Sequence, residues 1–315
     1  MTTVTPFSNR QCCAERRRSI DRATTTPNWR GLLTVLPFWV ALIGTAVPAA
    51  GKDFDTITFH AQHLGGKEVP LSVILPAGYD ASEKRYPVLY LLHGYTAHYS
   101  DWVANTHIIQ YARRYQEIIA MPETGTSWYV NNYANPQLKW QDYFIYDVIP
   151  YVDQHYRTRA NRRGRAIAGT SMGGYGALFL GLKYHAMFAA AASLSGVVTT
   201  PEPSFVQYVT SKLDEQVIES DFGPFGSQAR DENDLFKRVR QVPPSAMPEL
   251  YLSIGTSDKY LGTNREFVKL LDSMGVDLRY RELPGGHDWR LWDAELETVL
   301  AFQADAIWPS SEGNP

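Results

Sequence analysis

Cysteine is almost missing from this chain. The only two, Cys12 and Cys13, are neighbours near the start. A disulfide framework, a cysteine-based metal site and a cysteine nucleophile are therefore excluded for everything downstream. No two of the eight histidines show H-x-x-x-H spacing, so the usual helical zinc-ligand pattern is missing too. Beyond residue 52 there is no internal repeat or low-complexity linker, and the chain there is mildly acidic overall. Nucleic acid is therefore not expected as a partner.

Positive charge is concentrated at the front instead. Within the first fifty residues Arg10, Arg16, Arg17, Arg18, Arg22 and Arg30 face only Glu15 and Asp21, a net of about +4. The apolar stretch "GLLTVLPFWVALIGTAVPAAG" follows and ends in small residues. Together these read as a secretory signal over residues 1–50, with cleavage expected near Ala49 or Ala50. Left uncleaved, the stretch is about long enough to anchor the chain in a membrane. Arg16-Arg17 resembles a twin-arginine signal, but Asp21 and Pro27 separate the pair from the apolar stretch, which favours the ordinary secretory route. A secreted or periplasmic location follows. Residues 51–315 are then expected to form one domain of 265 residues carrying about −7, long enough for a sizeable core.

The pattern after residue 52 alternates short β-rich apolar runs with longer amphipathic ones, which predicts an α/β fold with a mainly parallel sheet. "FDTITFHAQ" and "VPLSVILPAGYD" read as an opening antiparallel pair. "YPVLYLLHG" (86–94) and "EIIAMPE" (117–123) are nearly all apolar, as strands covered on both faces must be. Residues 140–156 carry Phe144, Val148, Ile149 and Val152 at helical spacing, with a kink or restart expected at Pro150. Residues 197–247 are more polar and less regular. They read as a cap-like excursion with one or two short helices, covering one side of a site. Strand, helix, strand and a closing helix complete the chain.

Gly169-Thr170-Ser171-Met172-Gly173 fits G-x-S-x-G between a predicted strand, "RAIAGTS", and a predicted helix, "MGGYGALFLGLKY". That context is the one a nucleophile elbow requires. The turn leaves no room for Cβ atoms on either side, and the serine hydroxyl is pushed out above the sheet. The Met172 amide at the helix N-terminus suits a developing negative charge. A serine hydroxyl needs a base, and the α/β-hydrolase order puts an acid and then a histidine after later strands. Only His287, in "LPGGHDW", follows the final strand on a glycine-rich loop. His60, His63, His98 and His107 precede the elbow, His155 and His185 lie late in helical stretches, and His93 ends a strand and reads as structural. For the acid, "LSIGTSDKYLG" puts Asp258 just beyond a strand tip, where a carboxylate can orient the imidazole. Glu282 is a weaker rival, and Asp288 reads as a loop or cap residue. The second oxyanion donor is expected from the loop after "LYLLHG", at the backbone N–H of Tyr95.

These segments, with "SWYVNNY", "YFIYDVIPYVDQHYRT" and "ASLSG", resemble the esterase family of the α/β-hydrolases from about residue 54 to 308. That family includes the esterase D and S-formylglutathione hydrolase group, tributyrin-type, feruloyl and acetyl-xylan esterases, and the mycolyl transferases. The resemblance implies Ser171 as nucleophile, Asp258 as acid, His287 as base, and the amides of Tyr95 and Met172 as oxyanion hole. It also implies that Trp128 and Tyr129 line the substrate site. Together with Tyr95, Trp102 and Trp140, these supply rings able to stack on a sugar or a feruloyl group. No metal or cofactor is implied, and oligomeric state is left open. The expected activity is that of an exported serine carboxylesterase acting on small or carbohydrate-linked esters. The alternatives are acyl transfer of the mycolyl-transferase type, a thioesterase like S-formylglutathione hydrolase, and a non-catalytic binding module.

Overall fold

Five consecutive residues of the "VLYLL" run are buried, and they divide between two cores by the two-residue period of a strand. Val88, Tyr90 and Leu92 join one apolar cluster; Leu89 and Leu91 join the other. The same split recurs at Ile167 against Ala166 and Ala168, and at Leu250, Leu252 and Ile254 against Tyr251. A sheet buried on both faces needs helices on both, and the chain supplies them.

The computed structural model describes residues 54–199 and 212–307. The leader, residues 200–211 of the expected excursion and residues 308–315 lie outside these. In chain order the strands are β1 (Asp55–Ala61), β2 (Lys67–Ile74), β3 (Val88–Leu92), β4 (Ile118–Pro122), β5 (Arg165–Thr170), β6 (Ala190–Leu194), β7 (Glu249–Gly255) and β8 (Leu278–Leu283). The helices are α1 (Asp101–Asn105), α2 (Ile108–Ala112), α3 (Trp140–Asp142), α4 (Ile149–His155), α5 (Met172–Lys183), α6 (Lys212–Phe222), α7 (Gln228–Glu232), α8 (Leu235–Val239), α9 (Leu261–Ser273) and α10 (Trp289–Ile307). The sheet runs β1-β2-β4-β3-β5-β6-β7-β8. Its β1–β2 and β2–β4 pairs are antiparallel and the rest are parallel. This is the α/β-hydrolase architecture expected above. The parallel strands end on one edge, where their loops can converge.

The helix restart expected at Pro150 is present, while the number of helices in the excursion needs correction. The interruption in residues 140–156 is a π-helical stretch, Tyr143–Val148, between α3 and α4, and the Ile149 N–H reaches back to Phe144 O. Pro150 lies in the first turn of α4, where a missing N–H costs nothing. The described part of the excursion carries three helices, α6 to α8, rather than one or two. Asp234 caps α8 through the amides of Phe236 and Lys237, and Ser227 caps α7 through that of Arg230. Among the described residues no helix is long and apolar enough to cross a membrane.

Candidate active site

Strand β5 delivers Ser171 into a turn with φ 56° and ψ −116°, a backbone state that non-glycine residues rarely adopt. The turn is held from three sides. Ser171 N–H donates to Leu194 O at 3.0 Å, and Ser171 O accepts from Tyr175 N–H at 3.1 Å and Val197 N–H at 3.2 Å. The flanking glycines are steric necessities. A Cβ on Gly169 would sit 2.4 Å from Gly173 O, and one on Gly173 would sit 2.5 Å from Leu92 O and 2.6 Å from His93 O.

Two later loops bring the partners. The β7–α9 loop carries Asp258 and the β8–α10 loop carries His287. They are joined by backbone bonds from Thr256 N–H to Leu283 O (2.8 Å) and from Ser257 N–H to Gly285 O (2.9 Å). Gly285, at φ 150°, occupies a region that favours glycine. His287 Nε2 lies 2.9 Å from Ser171 Oγ, and its Nδ1 lies 2.8 Å from Asp258 Oδ2. The carboxylate fixes the tautomer: Nδ1–H donates to Asp258, leaving Nε2 to accept from the serine hydroxyl. Asp258 Oδ1 accepts from Tyr260 N–H at 2.9 Å. Burial pushes the Asp258 carboxyl upward. The His287 ring N–H and charge, the Tyr260 amide and the Ser195 hydroxyl outweigh it, and the group sits below its ordinary value. Tyr260 and Trp292 meet the imidazole edge-to-face at 5.2 and 5.1 Å. Chemically, this row can draw a proton from Ser171 Oγ and hold the resulting imidazolium against a carboxylate.

The loop after β3 lies against the serine, since a Cβ on Gly94 would stand 3.4 Å from Ser171 Cβ. Its path is fixed by buried side chains. His93 Nδ1–H donates to Gly94 O (2.9 Å), and His93 Nε2 accepts from Thr124 N–H (3.1 Å). Trp102 Nε1–H donates to Leu92 O (3.2 Å) and Tyr129 O–H to His93 O (2.8 Å). Among the described residues neither the Tyr95 nor the Met172 amide donates to a backbone carbonyl.

The expected aromatics take different positions. Trp128 and Tyr129 both have positive φ, 52° and 59°. Trp128 packs with Tyr95, Tyr175 and Phe222 at ring separations of 5.9 to 6.1 Å. Tyr129 is fully enclosed and braces the β3 loop through its hydroxyl. Trp102 is not a stacking ring: it is wholly buried, edge-on to Trp289. Glu282 is taken up by a bidentate pair with Arg265 at 2.7 Å on both arms. Asp288 receives the Leu291 amide in the first turn of α10. Two features were not legible from the sequence. Tyr95 O–H donates to Asp214 on α6 at 3.1 Å; burial first, then Asp214 and Asp221, push its phenol up to about 12. His93, Trp102 and Tyr129 converge on a single peptide segment. Nothing in the spacing of these residues announces either contact.

A family model described as "Putative esterase" matches residues 62–302. The chain belongs to this esterase family. An acetyl esterase of Caldicellulosiruptor saccharolyticus is 28% identical over 230 residues, covering 71% of this chain and 86% of that protein. Among solved structures, fluorophosphonate-binding serine hydrolase F of Staphylococcus aureus superposes with a TM-score of 0.71 at 25% identity, over 79% of this chain and 97% of that one. A ferulic acid esterase superposes with a TM-score of 0.70 at 27% identity, over 81% and 98%. As an esterase of this family the protein is a serine hydrolase acting on carboxylic esters.

Proposed function

We propose that the protein is an exported carboxylesterase that works through an acyl-enzyme on Ser171, with His287 as base and Asp258 as orienting acid. The observation that carries this reading is the unbroken row Asp258 Oδ2, His287 Nδ1 and Nε2, Ser171 Oγ, with contacts of 2.8 and 2.9 Å. His287 takes the hydroxyl proton as Ser171 Oγ attacks the ester carbonyl. The new C–O bond leaves a negative oxygen, which the Tyr95 and Met172 amides stabilise; one such donor is worth about 10²–10³ in rate. The tetrahedral species collapses, the alcohol departs with the proton from His287, and water then enters by the same steps to release the acid. Asp258 stays ionised throughout, in keeping with its lowered pKa. Tyr95 thus joins the oxyanion hole through its amide, while its hydroxyl ties the loop to α6.

The substrates are short-acyl, acetyl-sugar or feruloyl esters. Relatives named as acetyl and ferulic acid esterases support that class. Trp128 is 4% exposed and tilted behind Tyr95, so the half-buried Tyr95 is the ring of this pair placed to border a bound acyl or alcohol group. Export rests on the basic and apolar leader. The deciding experiment is Ser171→Ala assayed on p-nitrophenyl acetate, with a serine-reactive fluorophosphonate as label. Turnover is expected to fall on the order of 10⁴–10⁶, with labelling abolished. Near-native turnover, or continued labelling, rejects the assignment.

A further inference from the structure

The proposed nucleophile and acid stand on different loops, and their relative placement needs a physical tie. Asn264, in the first turn of α9, is 1% exposed. Its Nδ2 donates to Tyr260 O at 3.0 Å and to Gly196 O at 2.9 Å. The two acceptors belong to different parts of the site. Tyr260 is the residue whose N–H holds Asp258 Oδ1 at 2.9 Å. Gly196 opens the turn whose next amide, Val197 N–H, holds Ser171 O at 3.2 Å. That turn also rests on the elbow helix, for a Cβ on Gly174 would stand 2.8 Å from Gly196 Cα.

We infer that Asn264 is a positioning residue that couples the Ser171 turn to the Asp258 loop through one buried amide. One nitrogen fixes the separation of two backbone segments, each a single hydrogen bond from a reacting or orienting group. Its bond to Tyr260 O is local and supplements the helical bond that the Asn264 backbone N–H already makes to that oxygen at 3.1 Å. Its bond to Gly196 O spans 68 positions and serves no local turn. Buried polar links of this kind are costly to leave unpaired, so they hold a unique geometry. The inference rests on the proposed roles of Ser171 and Asp258.

Asn264→Thr separates the two bonds. A helical threonine can still donate to the carbonyl four residues back, Tyr260 O, but is too short to reach across to Gly196 O. With p-nitrophenyl acetate, kcat per fluorophosphonate-titrated site is expected to fall about 10- to 100-fold with KM unchanged, the scale of a small misplacement of a reacting group. Asn264→Leu, which keeps nearly the same volume and removes both side-chain bonds, is expected to lose at least as much and covers the case in which the threonine variant does not fold. The two losses are expected not to multiply when either variant is combined with Asp258→Asn, because both act through the same carboxylate. A folded variant with native kcat, or losses that multiply fully in the double mutant, overturns the inference. If Ser171→Ala retains turnover, the proposed mechanism itself fails; if Ser171→Ala is inactive and the Asn264 variants are native, only this inference does.

Discussion

Gly173→Ala is the most demanding perturbation of the proposed oxyanion hole, because it adds one methyl group and touches no reacting atom. The added Cβ would stand 2.5 Å from Leu92 O, 2.6 Å from His93 O and 2.8 Å from Leu92 C, where ordinary contact begins at 3.4 Å. All three are backbone atoms, so no side chain can rotate away. The peptide between Leu92 and His93 must retreat by close to an ångström, or α5 must. Either movement strains the bonds from Trp102 Nε1–H to Leu92 O and from Tyr129 O–H to His93 O. It also shifts α5, which begins at Met172, relative to the loop that carries Tyr95. Overpacking of this kind costs about 1–3 kcal/mol of stability. A misplacement of roughly 1 Å costs about 10²-fold in rate, within the range for losing one oxyanion donor. The assay is kcat on p-nitrophenyl acetate per titrated site, beside a thermal melt. The expected result is a clear loss of kcat with labelling slowed but not abolished, since Ser171 and His287 remain. A variant with native kcat and native Tm would refute the idea that this close approach sets the hole.

Two further outcomes follow from groups around the site and at the far edge of the sheet. Tyr129→Phe removes the donor to the buried His93 O, and an unpaired carbonyl there is expected to cost about 1–3 kcal/mol. A lowered Tm with reduced kcat supports a bracing role, while altered KM alone would mean that the ring meets substrate instead. Glu117, 1% exposed, has its carboxyl pushed from 4.5 to about 8 by burial, against the opposing Gln303 amide 3.1 Å from both oxygens. Between those two values the folded chain binds more protons than the unfolded one, so stability falls as pH rises through that window. Glu117→Gln is expected to flatten the fall in Tm between pH 5 and pH 8 and to raise Tm at the upper end; an unchanged pH slope would show that Glu117 does not drive it.

Much of this protein is determined locally, and that part could be read from the sequence. Continuous apolar runs flanked by turn residues specify doubly covered strands, because only a sheet with helices on both faces buries every side chain of "VLYLL". G-x-S-x-G between a strand and a helix specifies a tight turn, because Gly169 must pass Gly173 only four residues on; that Gly173 also answers Leu92 and His93 was decided by the packing of β3 against the elbow. The order serine, aspartate, histidine follows from the order of strands in such a sheet, so Ser171, Asp258 and His287 could be named before they were seen to meet. Tertiary structure alone decided the rest. The bracing of the β3 loop by Trp102 and Tyr129, the bond from Tyr95 to Asp214 and the bridge from Asn264 to Gly196 join segments 10 to 119 residues apart. Such contacts leave no periodicity in the chain, since a hydrogen bond between distant segments constrains two positions and no pattern between them. The same reason explains why Trp102, named among rings able to stack on a substrate, is core, and why Glu282, the weaker rival acid, is held by Arg265.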